Sequence, residues 1–116
     1  MSCVDSVERI LEEYKRSLGL DGEVKVKVRN YRTRVAFADL KTKTIYINKR
    51  LLDLGERALR YLILHELLHI KLNSKYHSKE FHKLLYGHIP LEEVTAIRRA
   101  INEKLMALNH AGELSG

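Results

Sequence analysis

The stretch Glu56–Leu72, ERALRYLILHELLHIKL, decides how this chain folds. Its apolar residues lie nearly all the way round a helix, which is typical of a helix buried through the centre of a domain. Asn73 and Ser74 follow it and predict its end. Three polar side chains nevertheless interrupt the apolar surface: His65, Glu66 and His69. A helix packed inside a core needs a physical reason to bury them.

Length and composition predict one domain over residues 1–116. The chain has 116 residues, 45% of them hydrophobic, which is enough for one core and too little for two. Its single cysteine, Cys3, excludes an intramolecular disulfide and a four-cysteine zinc cluster. The N-terminus lacks a signal-peptide pattern, and no apolar stretch reaches the roughly 18 residues that span a bilayer. We therefore expect a soluble, cytoplasmic protein without membrane insertion.

The charge of the chain is positive, with 21 Lys and Arg against 15 Asp and Glu and a formal net charge of +6. This excess permits an acidic partner but does not identify one. Many of the cations lie between residues 25 and 50, where they mostly alternate with apolar residues. That alternation favours the solvated face of a sheet over a nucleic-acid surface. The sequence does not indicate an oligomeric state.

Three segments with a two-residue period predict strands, and with the helices they predict an α+β fold. EVKVKVR places Val24, Val26 and Val28 inward; RVAFA and KTIYIN follow, with the inward positions Val35, Phe37, Ile45 and Ile47. The connections are short and polar. Three strands joined in this way predict a three-stranded antiparallel meander.

Helices are predicted before and after these strands along the chain. Residues 5–19 form an amphipathic helix, with Asp5 and Glu8 as its capping box. Asn48 caps a short helical turn that precedes the long helix. Ser78 caps another short helix, and Pro90 opens a last amphipathic helix through residue 108. The final residues, 109–116, have no periodicity and are expected to form a tail.

The spacing of His65, Glu66 and His69 explains why a core helix carries them. The two histidines are one helical turn apart, so both imidazoles project from one face, as two ligands of a tetrahedral zinc must. Glu66 lies beside them, where its carboxylate can act as general base on a zinc-activated water. Ordinary hydrogen-bonded core histidines are the alternative, but a buried unpaired carboxylate is costly. The HExxH pattern therefore predicts a zinc hydrolase site.

A catalytic zinc site needs a third protein ligand and an open fourth position. His77 is the favoured third ligand, because it lies just beyond the end of the long helix on a segment that can turn back over the same face. Glu80 is second. His82 and His88 are further candidates, although residues of a short helix are usually exposed to solvent.

The segments HELLH and HSKEF, preceded by the strand TIYIN, resemble the catalytic core of the minigluzincins, very small zinc peptidases. The resemblance implies a zincin-like fold, Zn²⁺ as cofactor and a peptide or protein as substrate. It also supports His77 as third ligand. It further implies that a strand at the cleft rim, here residues 43–48, pairs with an extended substrate.

The resemblance to minigluzincins also implies latency, in which a C-terminal segment blocks the cleft. The segment 109–116 would then be inhibitory, with His110 or Glu113 at the open zinc position. A functionless terminus is the alternative. The donor that stabilises the oxyanion is not selected by spacing; its candidates are Tyr76, Tyr86, His82, His88 and Arg98.

Two other functions are compatible with the motif. A SprT-like protease that acts on DNA-bound proteins resembles the HExxH pattern with a later histidine, and the positive charge would suit it. Against it, the chain lacks a cysteine-rich zinc ribbon and a basic tail. A non-catalytic, zinc-stabilised binding module would instead close the metal with a fourth ligand such as His82, His88 or His110.

Overall fold

The computed structural model describes the backbone of residues 3–115 and the side chains of residues 6–109. It confirms the α+β fold with a three-stranded sheet. The elements in chain order are α1 (Cys3–Leu18), β1 (Lys25–Arg29), β2 (Ala36–Asp39), β3 (Thr44–Asn48), a 3₁₀ helix (Lys49–Leu54), α2 (Glu56–Leu72), α3 (Lys79–His88) and α4 (Leu91–Ser115). The Asp5 side chain of the predicted capping box lies outside the described residues.

The sheet is mixed, so the predicted antiparallel meander is wrong. The strand order is β1-β3-β2, with β1 parallel and β2 antiparallel to β3. A two-residue period specifies which face of a strand is buried but not which strands are neighbours. The central position belongs to β3, whose Ile45 and Ile47 are completely buried. The strands β1 and β2 pair with its two edges.

The register of β2 reverses the predicted orientation of Phe37. Ala36 lies opposite Ile47, and Phe37 lies opposite Tyr46. Residues directly opposite in an antiparallel pair share a face, so the alanines of β2 lie on the core face with the isoleucines. Phe37 lies on the other face, where its ring stacks on that of Tyr46 at 4.8 Å between centroids. The small alanines allow α2 to pack close to β2.

Asn48 fixes the connection that carries the chain from β1 to β2. Its side chain is completely buried and donates to the carbonyl oxygens of Tyr31 and Arg34 at 3.0 and 2.7 Å. Its amide oxygen also accepts from the N–H of Arg50 at 3.1 Å, which confirms the predicted cap of the 3₁₀ helix. One buried amide therefore joins the loop, the end of β3 and the next helix.

The core surrounds α2, as its sequence predicts. Completely buried residues of α2 include Ile63, Leu64, Leu67 and Leu68. The apolar stripes of α1 and α4 pack on it. The backbone of α4 continues to Ser115, so residues 109–115 are helical instead of a non-periodic tail. A helix that is already formed adds residues at little cost. None of the described helices is long and apolar enough to cross a membrane.

Candidate active site

A tight reversal at the end of α2 brings distant residues together. Asn73 adopts the left-handed conformation, with φ 48° and ψ 47°, which Asn tolerates better than most residues. The N–H of Ser74 then donates to the carbonyl of His69 at 3.1 Å. The chain turns back over the face of α2 that carries His65. His77 reaches this face although it is exposed as a residue.

Three histidines converge at this turn: His65, His69 and His77. One nitrogen from each lies within 4.8 Å of the others. Their ring centroids are 4.9 to 5.1 Å apart. A tetrahedral zinc bound at about 2.0–2.1 Å needs ligand nitrogens roughly 3.3 Å apart. Small rotations of the rings would satisfy this distance, so the donor set fits one metal ion.

The other predicted third ligands do not join this cluster. Glu80 is exposed and lies outside it. The Nδ1 of His82 is 3.0 Å from the carbonyl oxygen of Ser78. His88 contacts the hydroxyl of Ser17 through Nε2, at 2.8 Å. His110 lies outside the described side chains. Within residues 6–109, the cluster therefore has three possible nitrogen ligands and an open side.

A backbone carbonyl orients one of the three imidazoles. The Nδ1 of His69 lies 2.8 Å from the carbonyl oxygen of Ser74, and it must donate because a carbonyl only accepts. In the neutral imidazole, this hydrogen bond assigns the proton to Nδ1 and leaves Nε2 with a free lone pair. Metal-bound histidines are commonly held in this way. The turn thus positions a ligand as well as reversing the chain.

His77 is also kept in the form that can bind a metal. Its pKa is lowered, first by partial burial of the ring and then by the neighbouring His65 and His69. A lower pKa favours the neutral imidazole, whose lone pair is free. The lowered pKa therefore disfavours protonation of His77 near neutral pH.

Glu66 is buried beside the cluster, with only 6% of the residue exposed. Its Oε2 lies 3.0 Å from Nδ1 of His65, close enough to accept a hydrogen bond. No buried side-chain nitrogen or oxygen in the described part of the chain lacks a hydrogen-bond partner. This contact supplies part of the compensation that burial of the carboxylate requires. Glu66 also lines both cavities of the site.

Phe81 forms the base of the histidine cluster. It is 1% exposed, and its ring centroid lies 4.8 to 5.0 Å from those of the three histidines. The Oγ of Ser78 accepts from the N–H of Phe81 at 3.2 Å, which confirms the predicted cap of α3. The sequence indicated an apolar helix position here but not its contact with the site. The signals were its place four residues after His77 and its position in the segment HSKEF, which carries the family resemblance.

A cleft extends from the cluster in two directions. One cavity, of about 280 Å³, lies between α2 and α4. The other, of about 420 Å³, runs along β2. Both are lined by Ala36, His65, Glu66 and His77. The rim strand is therefore β2, and the prediction of residues 43–48 is wrong, because both edges of β3 are already paired.

Beyond the histidine cluster, the cavity beside α4 is lined by three polar residues that can donate to a ligand: Tyr61, Arg98 and Asn102. Arg98, one of the predicted oxyanion candidates, lines it together with Tyr61. Tyr61 was missed, although it precedes His65 by one helical turn on the same face; the two ring centroids are 5.5 Å apart. Burial raises the pKa of Tyr61, so its hydroxyl stays protonated. Tyr76 is 81% exposed and lines neither cavity.

An HExxH helix, a third histidine brought back by a turn and a cleft below an edge strand define a zincin-like metallopeptidase. The family model described as YgjP-like, metallopeptidase domain, matches residues 2–103. The chain belongs to this family and is a metallopeptidase.

Two relatives match most of the chain. The chain is 42% identical over 82 residues to protein aq_aa15 of Aquifex aeolicus, covering 70% of this chain and 74% of that protein. It is 30% identical over 101 residues to protein MJ0123 of Methanocaldococcus jannaschii, covering 86% and 92% of the two chains.

Two solved metallopeptidase zymogens have the same fold. Abylysin of Pyrococcus abyssi superposes with a TM-score of 0.78 at 34% identity, covering 86% of this chain and 95% of that one. Jannalysin of Methanocaldococcus jannaschii gives 0.76 at 30% identity, covering 85% and 96%. The resemblance to minigluzincins is confirmed.

Proposed function

We propose that this metallopeptidase is zinc-dependent and hydrolyses peptide bonds in peptide or protein substrates. His65, His69 and His77 hold the metal, and Glu66 is the general base. The convergence of three imidazole nitrogens within 4.8 Å, beside a buried carboxylate, carries the proposal. Imidazole ligands, an open fourth position and a nearby carboxylate are typical of catalytic zinc.

The metal, Glu66, the edge of β2 and Tyr61 have different tasks in this mechanism. Zinc, when bound, supplies a Lewis acid that lowers the pKa of water. Glu66 accepts a proton from the attacking water and passes it to the leaving amine. The free edge of β2 pairs with the extended substrate and holds its scissile bond beside Glu66. The Tyr61 hydroxyl donates to the carbonyl oxygen as negative charge develops there.

Substitution of Glu66 separates metal binding from catalysis. Glu66→Gln is expected to retain zinc and to lower kcat by about 10²–10⁴-fold, because the amide cannot take a proton. His65→Ala is expected to lose zinc. Bound metal is measured by elemental analysis. Peptide cleavage is measured with a quenched fluorescent peptide library. The matched control is Glu80→Gln, an exposed glutamate outside the cluster. Cleavage by Glu66→Gln at the parent rate would refute the mechanism.

We also propose that the segment after residue 108 keeps the enzyme latent. What supports this is the description of the two solved relatives as zymogens. A chain that ends at Leu108 keeps the buried core, whose last member among the described residues is Leu105. We expect the shortened chain to cleave peptides faster than the full chain at equal zinc content. Equal rates would contradict latency without affecting the role of Glu66.

A further inference from the structure

The charged side chains that line the cleft are unequal in sign. Among the described residues, three cations and one carboxylate line the two cavities: Arg34, Lys75, Arg98 and Glu66. The carboxylate has a task in proton transfer. The remaining charge of the cleft is therefore entirely positive, and it is distributed on both sides of the histidine cluster.

Within residues 6–109, none of the three cleft cations has a carboxylate within 4.0 Å. Some cations elsewhere are paired, such as Arg57 with Glu93 at 3.1 Å and Arg60 with Glu13 at 2.7 Å, while others in the described part of the chain, such as Arg99, are not. The cleft cations therefore differ from other cations in their position on a concave surface. A concave surface lined by one sign of charge concentrates its potential and attracts ligands of the opposite sign.

The Arg98 side of the cleft is a small pocket with a mixed lining. Its walls include the apolar residues Leu62 and Ile101, and its polar side chains beyond the catalytic cluster are Tyr61, Arg98 and Asn102. Among the described residues, Arg98 is the only Lys or Arg in this lining. A guanidinium binds a carboxylate through two parallel hydrogen bonds. The volume of about 280 Å³ is enough for an acidic side chain.

The opposite side of the cleft presents its cations from two walls. The guanidinium carbon of Arg34 lies 4.5 Å from the centroid of the Phe37 ring, a cation–π contact that limits its movement. The backbone carbonyl of Arg34 is held by Asn48 at 2.7 Å. Lys75 comes from the turn after α2 and lines the same cavity. A ligand carboxylate between these walls would meet two positive charges.

We infer that the cleft selects acidic peptide segments, with one substrate carboxylate bound by Arg98 and another bound by Arg34 and Lys75 on the other side of the scissile bond. This inference rests on the proposed function. A peptide fits better than a nucleic acid because the free edge of β2 offers backbone groups to an extended chain. The three cations also flank the cluster instead of forming a continuous basic stripe.

The bound carboxylate on either side is an Asp or Glu side chain or the C-terminus of the substrate. The test uses zinc-loaded full chain and quenched peptides that share one scissile bond. Flanking positions carry Glu, Gln or Lys, and each peptide is made with a free and an amidated C-terminus. We expect kcat/KM to be roughly 10- to 100-fold higher for Glu than for Gln, as charge-assisted hydrogen bonds predict. Loss on amidation identifies the C-terminus as the source.

Charge-removing variants assign each side of the cleft. Arg98→Gln is expected to reduce the ratio of kcat/KM for Glu over Gln peptides on one side of the scissile bond by at least about 10-fold, mainly through KM. Arg34→Gln or Lys75→Gln is expected to reduce the same ratio on the other side. Matched controls are Arg99→Gln, Arg32→Gln and Lys71→Gln, exposed cations that line neither cavity. Equal cleavage of Glu, Gln and Lys peptides overturns the inference, as does a loss in Arg98→Gln that is the same for every peptide.

A binding measurement separates this inference from the proposed function. Zinc-loaded Glu66→Gln is titrated with labelled Glu and Gln peptides by fluorescence anisotropy. Selective binding of the Glu peptide, without cleavage by the parent or by the chain that ends at Leu108, would refute the peptidase mechanism but support the acidic selectivity. Absence of selective binding overturns the inference. Displacement by a DNA oligonucleotide that binds tighter than any peptide, through the same three cations, would indicate phosphate recognition and also overturn it.

Discussion

At the scale of single residues, Phe81 supports the proposed metal site without being able to bind a metal. Its ring contacts all three histidines, and it is anchored in the core at 1% exposure. Supports of this kind fix the orientation of ligands, and their loss typically costs 10–100-fold in metal affinity. The precision of the cluster therefore depends on an apolar side chain as much as on the turn at Asn73.

Replacement of this ring tests its role. We expect Phe81→Leu to lower zinc affinity by about 10-fold, because the imidazoles lose their common surface. A chelating dye in competition measures the affinity, and urea unfolding measures stability. Leu85→Ala is the control, since Leu85 is 3% exposed and lies one helical turn further along α3. It should lose about 2–5 kcal/mol of stability with unchanged zinc affinity. Equal affinity losses in both would show a general effect of destabilisation.

At the scale of the elements, a charge network joins α1 to the start of α2. Glu56 is paired with Arg9 and Arg60, and Arg60 also contacts Glu13 at 2.7 Å. The pKa of Glu56 is lowered from 4.5, first by its hydrogen bond with Arg9 and then by that with Arg60. A depressed pKa in the folded state favours folding above the unfolded pKa. The network therefore joins α1 to the helix that carries the candidate active site while Glu56 is ionised.

The pH dependence of unfolding tests this network. The contribution of Glu56 should be fully present well above pH 4.5 and be lost as the pH falls below that value through the lower folded pKa. Glu56→Gln should therefore weaken the fall of the thermal midpoint on acidification, relative to the parent chain. Glu103→Gln, an exposed glutamate on α4, is the control. Parallel curves for the parent and Glu56→Gln below pH 4.5 would contradict the assignment.

At the scale of the whole molecule, we expect metal binding and folding to be linked. The proposed ligands come from α2 and from the segment after it, so the unfolded chain does not present them together. A metal that binds only the folded state adds about 2.7 kcal/mol at a free concentration one hundred times its Kd. Removal of zinc should therefore destabilise all elements that pack on α2, including α1 and α4.

Chelation of the metal tests this linkage. We expect EDTA to lower the thermal midpoint of the zinc-loaded chain by about 10 °C, as measured by calorimetry. The doubly substituted chain His65→Ala, His69→Ala should melt at the same temperature with and without EDTA. A zinc-loaded parent whose midpoint is insensitive to EDTA would show that the metal binds folded and unfolded chains alike.

The sequence by itself determined the helices and the polar motif of the central helix α2. Apolar periodicity and capping residues defined the helices, because these signals are local. The one-turn spacing of His65 and His69 placed both on one face for the same reason. The family resemblance could be recognised from the sequence because it rests on contiguous segments. It favoured His77 as the third metal ligand.

Only the tertiary structure decided the strand order, the rim of the cleft and its lining. These depend on contacts between residues far apart in the chain, such as Asn48 with the carbonyl of Arg34, and no local period records them. Phe81 entered the site because packing brought it to the imidazoles, whereas Tyr61 lies beside His65 through the local spacing of α2. The sequence thus determined which chemistry the core helix carries, whereas the packing of the sheet and α4 around it decided which side chains face a substrate.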